Sequence, residues 1–179
     1  MKKFFKIFLY TIVIVLLLLQ FYPKPPKNIF SGVNANDITL AHKVPADVEQ
    51  ALKTSCYDCH SNNTVYPWYA SVQPVSMWLG DHISEGKREL NFSEFGTYSI
   101  RRKYKKLDEI NEQVKENEMP LASYTLIHRD AKLDEGKRLL IANWASSLRD
   151  SIKTNYPADS LKAPERKGVK DVFKKKENE

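Results

Sequence analysis

Cysteine is scarce. The chain of 179 residues has two, Cys56 and Cys59, too few for a disulfide scaffold, so a single C-x-x-C pair must be explained by its local chemistry. Strand patterning is missing too, which removes the βαβ arrangement that accompanies a thioredoxin-type dithiol. Nucleophile triads, phosphate-binding loops, paired catalytic carboxylates, internal repeats and long low-complexity segments are likewise absent. The formal charge is +6, but the lysines are spread along the chain, with no concentrated basic face or aromatic stacking motif. Nucleic acid is therefore excluded as a partner.

What is present centres on Cys56-Tyr57-Asp58-Cys59-His60. C-x-x-C-H is the attachment signal of c-type haem. Each thiol adds to a vinyl group as a thioether, and the adjacent histidine ligates the iron. Cys56 and Cys59 are three residues apart, so one helical turn puts both sulfurs on one face and projects His60 over the porphyrin centre. Zinc competes for the same donors, but a structural site wants four ligands, usually from a second spaced pair. Only His42, His82, His128 and carboxylates remain to supply it.

The amino terminus carries Lys2, Lys3 and Lys6, then an apolar run from Ile7 to Leu19 closing at Phe21-Tyr22-Pro23. Counted from Phe4 to Tyr22 it is close to the ~20 residues that span a bilayer. No A-x-A-like cleavage site follows. The expectation is an uncleaved signal anchor over residues 1–22, with lysines on the cytoplasmic side and aromatics at the far interface. That places the haem motif on the exported side.

Residues 23–44 read as a stiff proline spacer and then a surface loop. A helix starts near Pro45, with Val48, Ala51, Leu52, Ser55, Cys56 and Cys59 on one face. Tyr66-Pro67-Trp68-Tyr69 follows the motif, and large rings of this kind build either a haem wall or ordinary core. Val75, Trp78, Leu79, His82 and Ile83 form a helical stripe ending at Gly86. His82 on it is a core histidine or a distal ligand. A long helix over about Ser99–Asn117 has Ile100, Tyr104, Leu107, Ile110 and Val114 inward. Met119, before Pro120 and therefore in extended backbone, is a packing residue or a sixth iron ligand. A last helix spans about Asp134–Leu148, capped by Asp134 and stapled by Leu133, with Leu139, Leu140, Asn143, Trp144 and Leu148 inward. Residues 150–179, with Lys174-Lys175-Lys176, read as a polar, disordered tail.

This order of features resembles the class I cytochrome c architecture and, more closely, the bacterial haem-binding-domain family of membrane-anchored proteins. The matching stretches are Cys56–Asn62, Tyr66–Tyr69, Trp78-Leu79 with His82-Ile83, Asn91-Phe92-Ser93-Glu94 and Met119-Pro120-Leu121. The resemblance implies an all-α, cytochrome c-like domain over 45–149 with one covalent haem c. Cys56 and Cys59 would attach it, His60 would be the proximal ligand, and Met119 the distal ligand with His82 as alternative. Tyr66, Trp68 and Trp78 would line the pocket. By the cytochrome c pattern a proline carbonyl, of Pro67 or Pro74, would orient His60.

Two uses are compatible with such a site. One is a monohaem electron carrier held at a bacterial inner membrane on the periplasmic side, working with redox partner proteins. The other is a haem enzyme or ligand sensor whose sixth site is open or weakly held, with His82 or His128 beside it. The first fits better the expectation of two axial ligands.

Overall fold

The computed structural model describes residues 1–163. In chain order the helices are α1 (Lys2–Leu19), α2 (Ile38–Ala41), α3 (Ala46–Ser55), α4 (Tyr57–His60), α5 (Val75–Glu89), α6 (Ile100–Lys115), α7 (Ala122–Thr125), α8 (Glu135–Asn155) and α9 (Ala158–Leu161). Short 3-10 turns lie at Trp68–Ser71, Phe92–Thr97 and Arg129–Ala131. Among the described residues there is no strand, so the chain is all-α as the pattern predicts.

The core forms where α3, α6 and α8 meet. Val48, Ala51, Leu52 and Ser55 of α3 are buried at the spacing expected, and α6 turns Leu107, Ile110 and Val114 inward. Leu52, Leu107 and Ile141 are wholly buried, each contributing about 1.5–3 kcal/mol relative to exposure. The caps hold as predicted for α8, where the Asp134 side chain accepts from the Lys137 amide at 2.8 Å and Leu133 is buried beneath the entry. Ser99 caps α6 in the same way.

Three expectations about this core need correction. The buried residues of α8 are Ile141, Ala142, Trp144, Ala145 and Ile152; Trp144 is inward as predicted, Leu140 and Leu148 pack at the edge of the core, and Leu139 and Asn143 are exposed. The helix is also longer than expected, running on to Asn155, so that Ile152 joins Ile141 and Ala145 on one face. The predicted disordered tail from residue 150 is accordingly ordered through α9, where Leu161 packs on the core. Residues 164–179, with the terminal lysines, lie outside the described residues. The loop before α3 does more than wrap the surface, since Ile38 is fully buried among Leu52, Phe92 and Phe95.

The amino-terminal segment is helical but does not meet the expectation of a spanning helix. Its 18 residues give a length of about 27 Å, and Lys2, Lys3 and Lys6 occupy its first turns. Among the described residues no helix is long and apolar enough to cross a membrane. None of its residues is buried. Its end is pinned to the domain: Gln20 Nε2 donates to the Gln73 carbonyl at 3.0 Å and Gln20 Oε1 accepts from the Gln73 amide at 3.1 Å. The spacer is pressed on α5, where a Cβ on Gly80 would lie 2.5 Å from Pro25 Cγ. Farther along, Asn28 donates to the Ser61 carbonyl and to Thr64 Oγ1.

Candidate functional site

The C-x-x-C-H residues form one separate turn rather than the last turn of a longer helix. α3 stops at Cys56, whose φ of −127° breaks the helix. The Cys56 carbonyl then accepts from the Cys59 and His60 amides at 3.2 and 3.0 Å. Both intervening residues bolt this turn down, on opposite sides. Tyr57 stacks on Phe92 at 5.2 Å, 9° from parallel, and its hydroxyl donates to Asp37 Oδ1 at 2.9 Å. Asp58 accepts from the Tyr124 hydroxyl at 2.7 Å and from the Val65 amide at 3.0 Å.

Both cysteines are free and half-buried. Burial, with Cys59 as a like-charged neighbour, pushes the Cys56 thiol up to about 12. Burial and the Asp58 carboxylate push Cys59 up to about 11. A redox-active dithiol works through a thiolate, so this environment opposes that use. No group of three or more His, Cys, Asp or Glu side chains is gathered for a metal ion among the described residues.

His60 is held by two carbonyls. Its Nδ1 lies 2.9 Å from Gly86 O and 3.0 Å from Leu90 O. Carbonyl oxygens only accept, so Nδ1 carries the proton and Nε2 keeps a lone pair, the form that ligates a metal. Burial lowers the imidazole pKa, the two carbonyls oppose this, and the Lys106 charge adds to it. The orienting carbonyls come from α5, correcting the expectation of Pro67 or Pro74. They reach His60 because Gly86 has no side chain: a Cβ there would meet the Cys59 carbonyl oxygen at 2.7 Å. Gly86 is thus no helix stop, as α5 continues to Glu89. It is the point where α5 touches the motif's backbone.

The segment after His60 is clasped by the Asn91–Glu94 stretch. Asn91 Nδ2 donates to Asn62 Oδ1 at 2.8 Å, the Asn62 amide donates to Ser93 Oγ at 3.2 Å, and Asn62 Nδ2 donates to Glu94 Oε1 at 3.0 Å. Asn91 also caps the 3-10 turn through the Ser93 amide. The end of the motif and the Asn91–Glu94 stretch are therefore one hydrogen-bonded unit.

Three cavities adjoin at the motif. One of about 340 Å³ is lined by Cys56, Cys59, His60, His82, Met119 and Tyr124, among others. A second, of about 240 Å³, shares Cys56, His60 and Met119 with it. A third, of about 390 Å³, shares Cys59, His82 and Tyr124. Met119 reaches the site because α6 ends in a left-handed residue, Asn117 at φ 60°, and the Glu118 and Met119 amides fold back onto Gln113 O. The structure thus brings Cys56, Cys59, His60, Met119 and His82 around one cavity. Two thiols, an imidazole with a free Nε2, a thioether and a second imidazole on apolar walls fit covalent haem.

The aromatic residues divide differently from expectation. Trp78 lines the cavity of about 390 Å³. Tyr66 and Trp68 line none of the three: the Tyr66 hydroxyl is taken by the Asn28 amide at 2.8 Å, and Trp68 is 82% exposed. Tyr124 takes the wall position the sequence missed. A signal was available, since Tyr124 and His128 are four residues apart and so share a helical face. Their rings stack at 4.3 Å, 12° from parallel.

A family model described as a haem-binding domain matches residues 14–147. No curated protein and no solved structure matches the chain.

Proposed function

Because the chain belongs to the haem-binding domain family, we propose that it holds one haem covalently through Cys56 and Cys59 and serves as a single-electron carrier. The observation that carries this reading is the fixed tautomer of His60, whose Nδ1 proton is held between Gly86 O and Leu90 O beside a cavity shared with both cysteines. Haem in this site would supply a reversible one-electron iron couple. The protein's part is positional. Two carbonyls keep the His60 proton on Nδ1 and leave Nε2 for the iron. Tyr57 and Asp58 fix the turn that carries the thiols. Met119 is the sixth ligand in this proposal, since it lines both cavities that contain His60, and thioether ligation raises the potential.

The test is a haem-stained band that survives denaturing electrophoresis after expression with a maturation system. It should vanish in Cys56→Ala/Cys59→Ala, and its absence from the parent chain would overturn the proposal. A near-infrared sulfur-to-iron band should disappear in Met119→Ala. A high-spin protein that binds carbon monoxide rapidly would favour an enzyme or sensor instead.

The proposal includes a membrane-associated protein with its haem domain on the exported, periplasmic side of a bacterial inner membrane. Its support is α1, none of whose apolar side chains is buried and nearly all of which are exposed, behind a cluster of lysines. Fractionation tests it: deletion of residues 1–22 should release the domain from membranes, and a parent chain already free of them would overturn this part.

A further inference from the structure

The cavity of about 390 Å³ lies beyond Cys59 and includes neither Cys56, His60 nor Met119. Leu79 and Ile83 form part of its apolar wall, and Trp78 and Ile127 on it are 48% and 62% exposed at the surface. Its one carboxylate, Asp58, is already committed to the Tyr124 hydroxyl and the Val65 amide. Beside the hydroxyls of Thr64, Ser123 and Tyr124, His82 and Tyr69 supply two further acceptors. His82 Nδ1 lies 2.9 Å from the Trp78 carbonyl oxygen, so Nδ1 carries the proton and Nε2 offers a lone pair. The Tyr69 hydroxyl lies 2.6 Å from His128 Nε2; donating there, it keeps lone pairs on its oxygen. A pocket of this volume and polarity, with few convergent polar groups, suits a small apolar ligand. Free acceptors without a free charge call for an uncharged ligand that brings hydroxyl donors.

We propose that this cavity binds an aromatic diol of the quinol class, its hydroxyls donating to His82 Nε2 and Tyr69 Oη and its ring against Trp78. Binding stands independently of haem; use of the diol as electron donor rests on the carrier reading above. Oxidation of the diol to the quinone releases two electrons and two protons. Haem in two oxidised chains met in turn would accept the two electrons, one each, and the two protons would pass to water at the exposed mouth beside Trp78 and Ile127.

Duroquinol is the probe. In the full-length apo chain, quenching of tryptophan fluorescence should saturate with duroquinol. Affinity should fall about tenfold in His82→Ala and in Tyr69→Phe, the loss of one hydrogen bond, and at least as much for the dimethyl ether, which lacks donors. Ile127→Arg, on the exposed rim, should block binding and guards against misfolding of the buried variants. In the haem-loaded chain, calorimetric binding should persist and reduction of iron should saturate at the same concentration. Equal binding of the ether, no saturable binding, or binding lost once haem is attached would each overturn the site. A chain without covalent haem that still binds duroquinol sinks the carrier reading alone; a haem-loaded chain that binds none sinks the diol site alone.

Discussion

The α3–α6–α8 half and the α4–α5–α7 half of the domain are held together by different forces. In the first, apolar side chains face one another, and Leu107, Ile110, Val114 and Ile141 are buried between α6 and α8. In the second, α4 and α7 bury no residue and α5 buries only Ser76 and Ile83. Its apolar side chains face cavities, and hydrogen bonds keep its shape: His60 to two carbonyls, Asp58 to Tyr124, Asn62 to Asn91. One half holds most of the buried apolar side chains, whereas the other borders the two larger cavities and is shaped mainly by hydrogen bonds.

Substitutions that tell these halves apart should separate stability from haem attachment. Leu107→Ala should lower unfolding free energy by about 2–5 kcal/mol, the range for a cavity in a packed core, measured by urea titration, while haem staining at low temperature persists. If staining falls in step with stability, the halves are not separable. Gly86→Ala should do the reverse. Alanine ordinarily favours a helix over glycine by about 1 kcal/mol, but here its Cβ meets the Cys59 carbonyl at 2.7 Å, an overpacking cost of about 1–3 kcal/mol. The backbone of the motif must shift, so staining should drop strongly with only a modest change in the urea midpoint. A Gly86→Ala chain that stains normally would show that the contact can relax.

Tyr124→Phe removes the hydroxyl that holds Asp58. It should cost about 1 kcal/mol and broaden the haem absorption bands, whereas Tyr104→Phe, in the other half, should leave the spectrum unchanged. The smallest effect is a pH dependence in the packed half. Burial, then the Lys103 charge, lowers the His42 pKa from its ordinary 6.5, and among the described residues His42 Nε2 is buried without a partner. The unfolded chain therefore takes up a proton before the folded one. The stability so contributed is complete above about pH 6.5 and is lost as pH falls through that value. His42→Phe should flatten the decline between pH 7 and 5 in urea titrations of the apo chain. An unchanged slope would assign the decline to other groups, such as His60, whose pKa is lowered in the same direction.

What could be read from sequence follows the same division. The Asp134 cap and the faces of α3 and α6 depend on residues a few positions away, and local pattern finds them. The motif's chemistry was legible for the same reason, since Cys56, Cys59 and His60 are neighbours in the chain. The partners of His60 were not, because Gly86 and Leu90 arrive from a helix some thirty residues on and only the close approach of two backbones brings them there. Trp68 misled because an aromatic residue near an iron ligand in sequence need not face it. On α8, Trp144 was legible, but Ile152 was missed because it lay past the assumed end of the helix. Among the described residues, α7 gives no apolar periodicity at all, since hydrogen bonds rather than burial place it.

The pair of amides joining Gln20 to Gln73 has a mechanical meaning. Two hydrogen bonds between residues 53 apart in sequence, backed by Pro25 wedged on α5, turn a proline spacer from a leash into a bracket. A domain on a leash tumbles and offers every side in turn. A domain on a bracket keeps one bearing relative to α1, so whatever surface α1 rests on also decides which way the mouth at Trp78 points.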